Sequence, residues 1–319
     1  MQRRELLALL AASAAGAPLS QAQAQPQVVR VLVGATPGGG TDLVARSLAQ
    51  EMTRTLGRQV IVDNRPGAAG NIAAQAIASA QPDGGNLLLS YTSHAINASL
   101  YTNLPFDPVK DFTPIFGVAS APAILVTHPD LPAKNIRELI ALAKSKPAKL
   151  NIAIAGIGSA NHLAGEMLKR NAGIDIVSVP YKGTGPALAD VMAGQIDLVF
   201  SGVAAAQELI KGGKLKALGV SSGKRLPAYP DVPAIAEVLP GFEYSAWYGL
   251  FGPAKMPAPL VEQYARAARE ALDSPTVRQR LASESLVPMG LPPAEFDKFV
   301  RSEIVRWGKV VAETGAKPE

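Results

Sequence analysis

No cysteine occurs among the 319 residues. This excludes disulfides, thiolate nucleophiles, Cys-ligated zinc, iron–sulfur clusters and a lipid-modified N-terminal cysteine. Aromatic residues make up only 5%, too few for the stacking platforms that hold single-stranded nucleic acid. Charged residues are also sparse, at 18% with a net charge of +5, and no run of five basic residues occurs. The basic balance therefore reads as a solvated surface, and no nucleic-acid partner is expected. The three histidines, His94, His128 and His162, lack the short spacing of a metal-ligand cluster. What is abundant is apolar: 48% hydrophobic residues, with 29 glycines and 26 prolines. Such a chain buries a large core, turns often and, from its length, divides into about two domains.

The N-terminus predicts export. Arg3 and Arg4 precede an apolar, Ala-rich stretch from Leu6 to Leu19, and Ala22-Gln23-Ala24 supplies the small residues of a cleavage site. Residues 1–24 are thus expected to be a signal peptide removed near Ala24. The apolar stretch, interrupted by Gly16 and Pro18, is too short for an anchor, and no later window has 18 unbroken apolar residues.

Beyond it, short β-branched runs alternate with helical patterns. Val28 to Val33 predicts a buried strand, Pro37-Gly38-Gly39-Gly40 a turn, and Leu43, Val44, Leu48, Met52 and Leu56 one face of a helix. The unit recurs in type: strand 59–62 with helix 69–80, strand 86–90, strands 115–119 and 123–127, and helix 136–146 capped by Asn135. Strand 150–155 pairs with helix 161–171, strand 176–179 with helix 186–193, and strand 196–200 with helix 204–211. A strand at 216–221 precedes a proline-rich stretch, and helices resume at 260–272, 275–282 and 294–312. This alternation predicts an α/β fold with mainly parallel sheets. Proline and small residues near Ser120-Ala121-Pro122 and around Gly223 to Pro240 mark two crossings between lobes. The expected division is 25–122 and 224–319 in one lobe and 123–223 in the other.

Three glycine-rich turns lead into helices: Pro37 to Asp42, Gly156-Ile157-Gly158-Ser159, and Gly183-Thr184-Gly185 before Pro186. Each would present unpaired backbone amides and the positive end of a helix dipole, an anion-binding arrangement. Thr41, Ser159 and Thr184 add hydroxyls. Glycine at a strand-to-helix turn often serves geometry alone; three such turns, beyond the carboxyl ends of strands in both lobes, favour a ligand site. None is a nucleotide motif, since Gly38-Gly39-Gly40 lacks a following Gly-Lys-Ser/Thr and Gly156-Ile157-Gly158 lacks the third dinucleotide-type glycine. No cofactor is expected. Gly219-Val220-Ser221-Ser222-Gly223 matches the Gly-x-Ser-x-Gly pattern, but the prolines that follow do not suit a strand-to-helix elbow, and all three histidines precede Ser221. His94 and His162 adjoin polar loops where they can donate hydrogen bonds in a cleft, His128 ends a strand, and Trp247-Tyr248 reads as core or interlobe packing.

The ordered motifs PGGGTD (37–42), DNRPGAAG (63–70), QPDG (81–84), HAIN (94–97), PVKDF (108–112), GSANHLAGE (158–166), VPYKGTGPA (179–187) and WGKV (307–310) resemble the Bug family, the extracytoplasmic solute receptors of tripartite tricarboxylate transporters. The likeness runs through essentially the whole chain after the export segment. It implies a monomeric type II periplasmic binding protein, two α/β lobes joined by two crossings around a central cleft. It further implies a periplasmic receptor that captures a carboxylate-bearing organic acid and delivers it to the integral-membrane subunits of a tripartite transporter. The resemblance places the ligand on the main chain of Gly38 to Thr41, with Thr36, Pro37 and Asp42 beside it. Thr92, Ser93 and His94 are side contacts, and Gly158, Ser159, His162, Tyr181, Lys182, Gly183 and Thr184 lie opposite. Two departures bear on specificity. Gly34-Ala35-Thr36 stands where many relatives have Pro-Phe-Pro, which removes an aromatic wall and widens the pocket. Ser201-Gly202 stands where many have Phe-Asp, and the missing carboxylate disfavours an amino-bearing ligand, leaving Ser201 as the candidate contact. A receptor used for sensing, and a secreted hydrolase acting through Ser221, are the alternatives.

Overall fold

The computed structural model describes residues 27–314 except 39, 156–159 and 182; the expected signal peptide, residues 1–24, lies outside the described residues. The first half builds β1 (Val28–Val33), α1 (Gly40–Leu56), β2 (Gln59–Asn64), α2 (Asn71–Ala78), β3 (Asn86–Tyr91), α3 (Ser93–Leu100), β4 (Phe112–Thr127), α4 (Ile136–Ser145) and β5 (Asn151–Ala155). There follow α5 (Ala160–Ala172), β6 (Val177–Tyr181), α6 (Thr184–Met192), β7 (Leu198–Gly202), α7 (Val203–Lys211) and β8 (Lys216–Val220). The chain ends with β9 (Ser245–Pro253), α8 (Ala258–Asp273), α9 (Pro275–Ser283), β10 (Val287–Leu291) and α10 (Pro293–Thr314).

The local chemistry of the predicted elements is visible at their ends. Asn135 caps α4 by accepting the Glu138 amide at 3.0 Å, while the Glu138 carboxylate takes the Lys134 amide at 2.8 Å. Ser274 likewise accepts the Val277 amide at the start of α9, which has Pro275 at its first position.

The strands form one continuous sheet in the order β2-β1-β3-β9-β4-β7-β5-β6, with β10 and β8 also pairing with β4. Pairing is parallel around β1 and around β5, as the alternation predicts, and antiparallel at the seams made by β4 and β9. The two strands expected at 115–119 and 123–127 are one 16-residue strand. Its first part, to Pro122, pairs with β9 and β10, and its second, from Ala123, with β7 and β8. Pro122, which has no amide proton, sits where one set of neighbours ends and the next begins, so the ladder loses little there. The proline-poor core of the late region holds β9, buried on both faces. Trp247, Leu250 and Phe251 are fully buried.

Two apolar layers cover the β1 half. Val31, Leu87 and Leu89 pack with Val44, Leu48 and Met52 of α1 and Leu260, Tyr264 and Ala268 of α8. On the other side, Trp247, Phe251, Phe296 and Trp307 join a cluster that continues to Leu163 and Leu168 of α5. A third cluster fills the β7 half, where Val199 meets Leu188 and Val191 of α6 and Val203 and Ala206 of α7. No described helix is long and apolar enough to cross a membrane.

Candidate ligand-binding cleft

The turn between β1 and α1 carries the first group of candidate residues. Thr36, Pro37, Gly38 and Gly40 are exposed, whereas Thr41 and Asp42 are buried in the first turn of α1. Gly38 adopts φ +86°, a left-handed conformation for which glycine is suited. Its amide donates to Asp42 Oδ2 at 2.9 Å. The same oxygen accepts Arg46 Nε at 2.9 Å, and Oδ1 accepts Asn64 Nδ2 at 2.9 Å. Burial acts to raise the Asp42 carboxyl, but these bonds from Arg46, Gly38 and Asn64 outweigh it and hold it below the ordinary carboxylate range. The Gly38 amide, expected to face a ligand, is thus consumed inside the turn. Amides offered to an anion come from further into the helix entry.

The start of α3 behaves differently from expectation. Thr92 is buried and its Oγ1 accepts the Trp247 amide at 2.8 Å, fastening the β3–α3 junction to β9. Ser93, half-buried, hydrogen-bonds Tyr91. His94, expected as a cleft contact, turns its ring into the core. It stacks on Phe251 at 4.8 Å, meets the edge of Phe112 at 4.9 Å, and donates from Nε2 to the Pro108 carbonyl at 2.8 Å. Burial lowers its pKa to about 4, opposed in part by that carbonyl, so the ring is neutral. Sequence spacing could not show this, because Phe112 and Phe251 come from distant strands.

In the other half, Gly158, Ser159 and Lys182 lie outside the described residues, as does Gly39 in the first. His162, in the first turn of α5, is buried with Nε2 at 3.8 Å from Glu166 Oε1; burial lowers its pKa, with Glu166 acting against it. Tyr181 donates to Asp190 of α6 at 2.6 Å, the chief reason its pKa is pushed up to about 12. Gly183, at φ +139°, precedes α6, and Thr184 opens it. Ser201 is fully buried and donates to the Gly202 carbonyl at 3.0 Å, so its hydroxyl is turned away from solvent.

Ser221 is fully buried as well. Its hydroxyl donates to the Tyr244 carbonyl at 2.6 Å and accepts the Ala123 amide at 2.8 Å. It staples β4 to the segment returning from β8 to β9, a structural role at odds with an exposed nucleophile on an elbow.

A cavity of about 370 Å³ lies where the two halves of the sheet meet. Gly40 at the entry of α1 and Tyr248 of β9 form one wall, Gly202 to Ala205 at the entry of α7 the other, and Ala121 and Pro122 of β4 the floor. Glu284, Ser285 and Leu286 close a side. Two helix entries, one from each half, therefore face one hollow whose described lining has no lysine or arginine. Of the expected residues, Gly40 is in this lining. The α7 entry and Tyr248 were missed, although the predicted strand 196–200 running into helix 204–211 through Gly202 carries the same signature as the other turns.

Fold and cleft together define the class: a two-lobed periplasmic-type solute-binding protein. The chain belongs to the tripartite tricarboxylate transporter family receptors, TctC, whose family model matches residues 44–316. It is 35% identical to the protein BugT of Bordetella pertussis strain Tohama I over 324 residues, 99% of each chain. Among solved structures, it resembles MatC from Rhodopseudomonas palustris with bound malate (36% identity, TM-score 0.73, covering 89% of this chain and 98% of that one). It also resembles an R. palustris protein with adipate (32% identity, TM-score 0.78, covering 92% and 99%). The family consists of periplasmic solute-binding proteins, and the expectations of family and fold class drawn from the sequence hold.

Proposed function

We propose that this protein is a periplasmic receptor that closes on a small carboxylate-bearing organic acid and hands it to the membrane subunits of a tripartite tricarboxylate-type transporter. The lobes of the proposal are 25–122 with 224–319, and 123–223. The observation that carries it is the shared hollow between the α1 and α7 entries, where neutral peptide dipoles from both halves can replace an acid's hydration. The turns at Thr36 to Asp42, Gly158-Ser159 and Tyr181 to Thr184 would complete the ring of donors. Such a site needs no buried ion pair and avoids its desolvation penalty. Malate and adipate in related structures give the ligand class to test.

A ligand that binds the folded, closed protein raises its melting temperature by mass action. A thermal-shift screen against malate, adipate, citrate, nicotinate and aromatic acids is expected to give a concentration-dependent rise for at least one, confirmed by isothermal titration. No rise with any organic acid overturns the reading. Uptake of the identified acid, abolished by deleting the gene for this chain and restored by the chain, tests delivery.

A further inference from the structure

Resting on the carboxylate-receptor reading, we infer that Tyr248 is a ligand-contacting, specificity-determining residue, its phenol donating a hydrogen bond to an oxygen of the acid held at the entry of α1. Strand alternation sets its direction. Trp247 points toward α10, with its ring at 6.0 Å from Phe296 and its indole nitrogen on Glu303 at 3.0 Å. Tyr248, the next residue, points to the opposite face and lines the interlobe cavity.

Its hydroxyl is placed against the helix entry. A Cβ built on Gly40 would lie 2.9 Å from the phenol oxygen, so Gly40 leaves the approach open. Tyr181 donates to Asp190, Tyr244 to Asn161 at 3.4 Å, and Tyr264 to the Gly84 carbonyl at 2.6 Å; the buried Tyr229 hydroxyl also lacks a partner but does not line this cavity. The Tyr248 hydroxyl has no hydrogen-bond partner among the described residues, and a donor left over at the wall of a largely apolar cavity is a donor for what enters it. Burial first, then Glu284 and Tyr91, pushes its pKa up to about 12, so it remains a protonated donor at neutral pH. The facing wall, Gly202 to Ala205, has no side-chain donor. An acid whose carboxylate is held at the α1 entry, beside Gly40 and within reach of the Tyr248 phenol, would carry the remainder of the molecule toward α7.

The test compares the full chain with Tyr248→Phe, using malate and adipate as probes in isothermal titration. The substitution keeps the ring and removes a hydroxyl that bonds none of the described residues, so the unliganded melting temperature is expected to be unchanged. For the probe bound by the parent protein, affinity is expected to fall at least tenfold. The tyrosine perturbation in the ligand-difference absorption spectrum is expected to vanish in the variant. Equal affinity of parent and variant overturns the role of Tyr248 and leaves the receptor reading intact, as does an unaltered difference spectrum. Failure of the parent protein to bind either acid overturns the inference at its premise, a pattern distinct from loss in the variant alone.

Discussion

The Gly38 amide donates to the Asp42 carboxylate at 2.9 Å, so the glycine-rich turn is braced by a residue of the helix it introduces. With Arg46 and Asn64 on the same carboxylate, the turn is held in the shape that exposes the helix entry. Asp42→Ala removes all three bonds. It is expected to weaken acid binding about tenfold, or about 1.4 kcal/mol, while leaving the far-ultraviolet circular dichroism intact. Unchanged affinity in isothermal titration means that the brace does not shape the site.

His94 makes stability pH-dependent in a stated direction. Its folded pKa of about 4 lies below the ordinary 6.5, because burial disfavours the charged ring. Between those values the unfolded chain binds the proton and the folded one does not. Stability is therefore full above pH 6.5 and declines as pH falls toward 4, by on the order of 3 kcal/mol at the limit. Urea midpoints measured across this range should show the decline, and His94→Gln should flatten it. An equal slope in the variant assigns the effect elsewhere.

Glu303 anchors α10 to β9. One oxygen, Oε2, accepts Trp247 Nε1 and Trp307 Nε1 at 3.0 Å each and a guanidinium nitrogen of Arg306 at 2.8 Å. Burial still raises its pKa, only partly offset by Arg306 and the indoles. Glu303→Ala leaves a cation and two donors without their acceptor and is expected to destabilise by about 3 kcal/mol, read as a lowered urea midpoint. A loss under about 1 kcal/mol indicates that water replaces the carboxylate readily.

Ser221→Ala deprives the Ala123 amide and the Tyr244 carbonyl of their common partner in a fully buried place. The expected loss is about 1–3 kcal/mol. Hydrogen exchange at Ala123 should accelerate in the variant; an unaltered rate argues that the staple is not formed in solution.

Gly34→Ala tests contact between the end of β1 and the turn before α2. A Cβ there would lie 2.5 Å from Gly70 Cα, a backbone atom that cannot rotate away. Destabilisation of about 1–3 kcal/mol is expected, and a melting temperature equal to the parent's refutes the contact.

The sequence made most of the repeating units legible because their chemistry is local: β-branched runs, helical apolar spacing, and caps such as Asn135. It did not reveal α3, where Ser93-His94-Ala95-Ile96-Asn97 follows β3 without an intervening loop and shows no clear apolar face. Nor did it reveal β9 and β10. Ser245 to Pro253 is buried on both sides and so lacks alternation, while Val287 to Leu291 is short, contains Pro288 and Gly290, and pairs irregularly with β4. At the cleft, the glycine turns were readable as helix entries, but which polar groups remain available was not. The capture of the Gly38 amide by Asp42, the withdrawal of His94 and Ser201, and the emergence of Tyr248 all depend on neighbours brought from elsewhere in the chain.

Because β4 runs without a break from Phe112 to Thr127, serving β9 and β10 with one end and β7 and β8 with the other, the halves share an inextensible spine. They cannot glide past one another without tearing its ladders. On the receptor reading proposed above, closure of the halves would be torsion and flexure about Ala121-Pro122, the few residues that also floor the hollow. An acid held in that hollow would touch the pivot itself and act at a short lever arm.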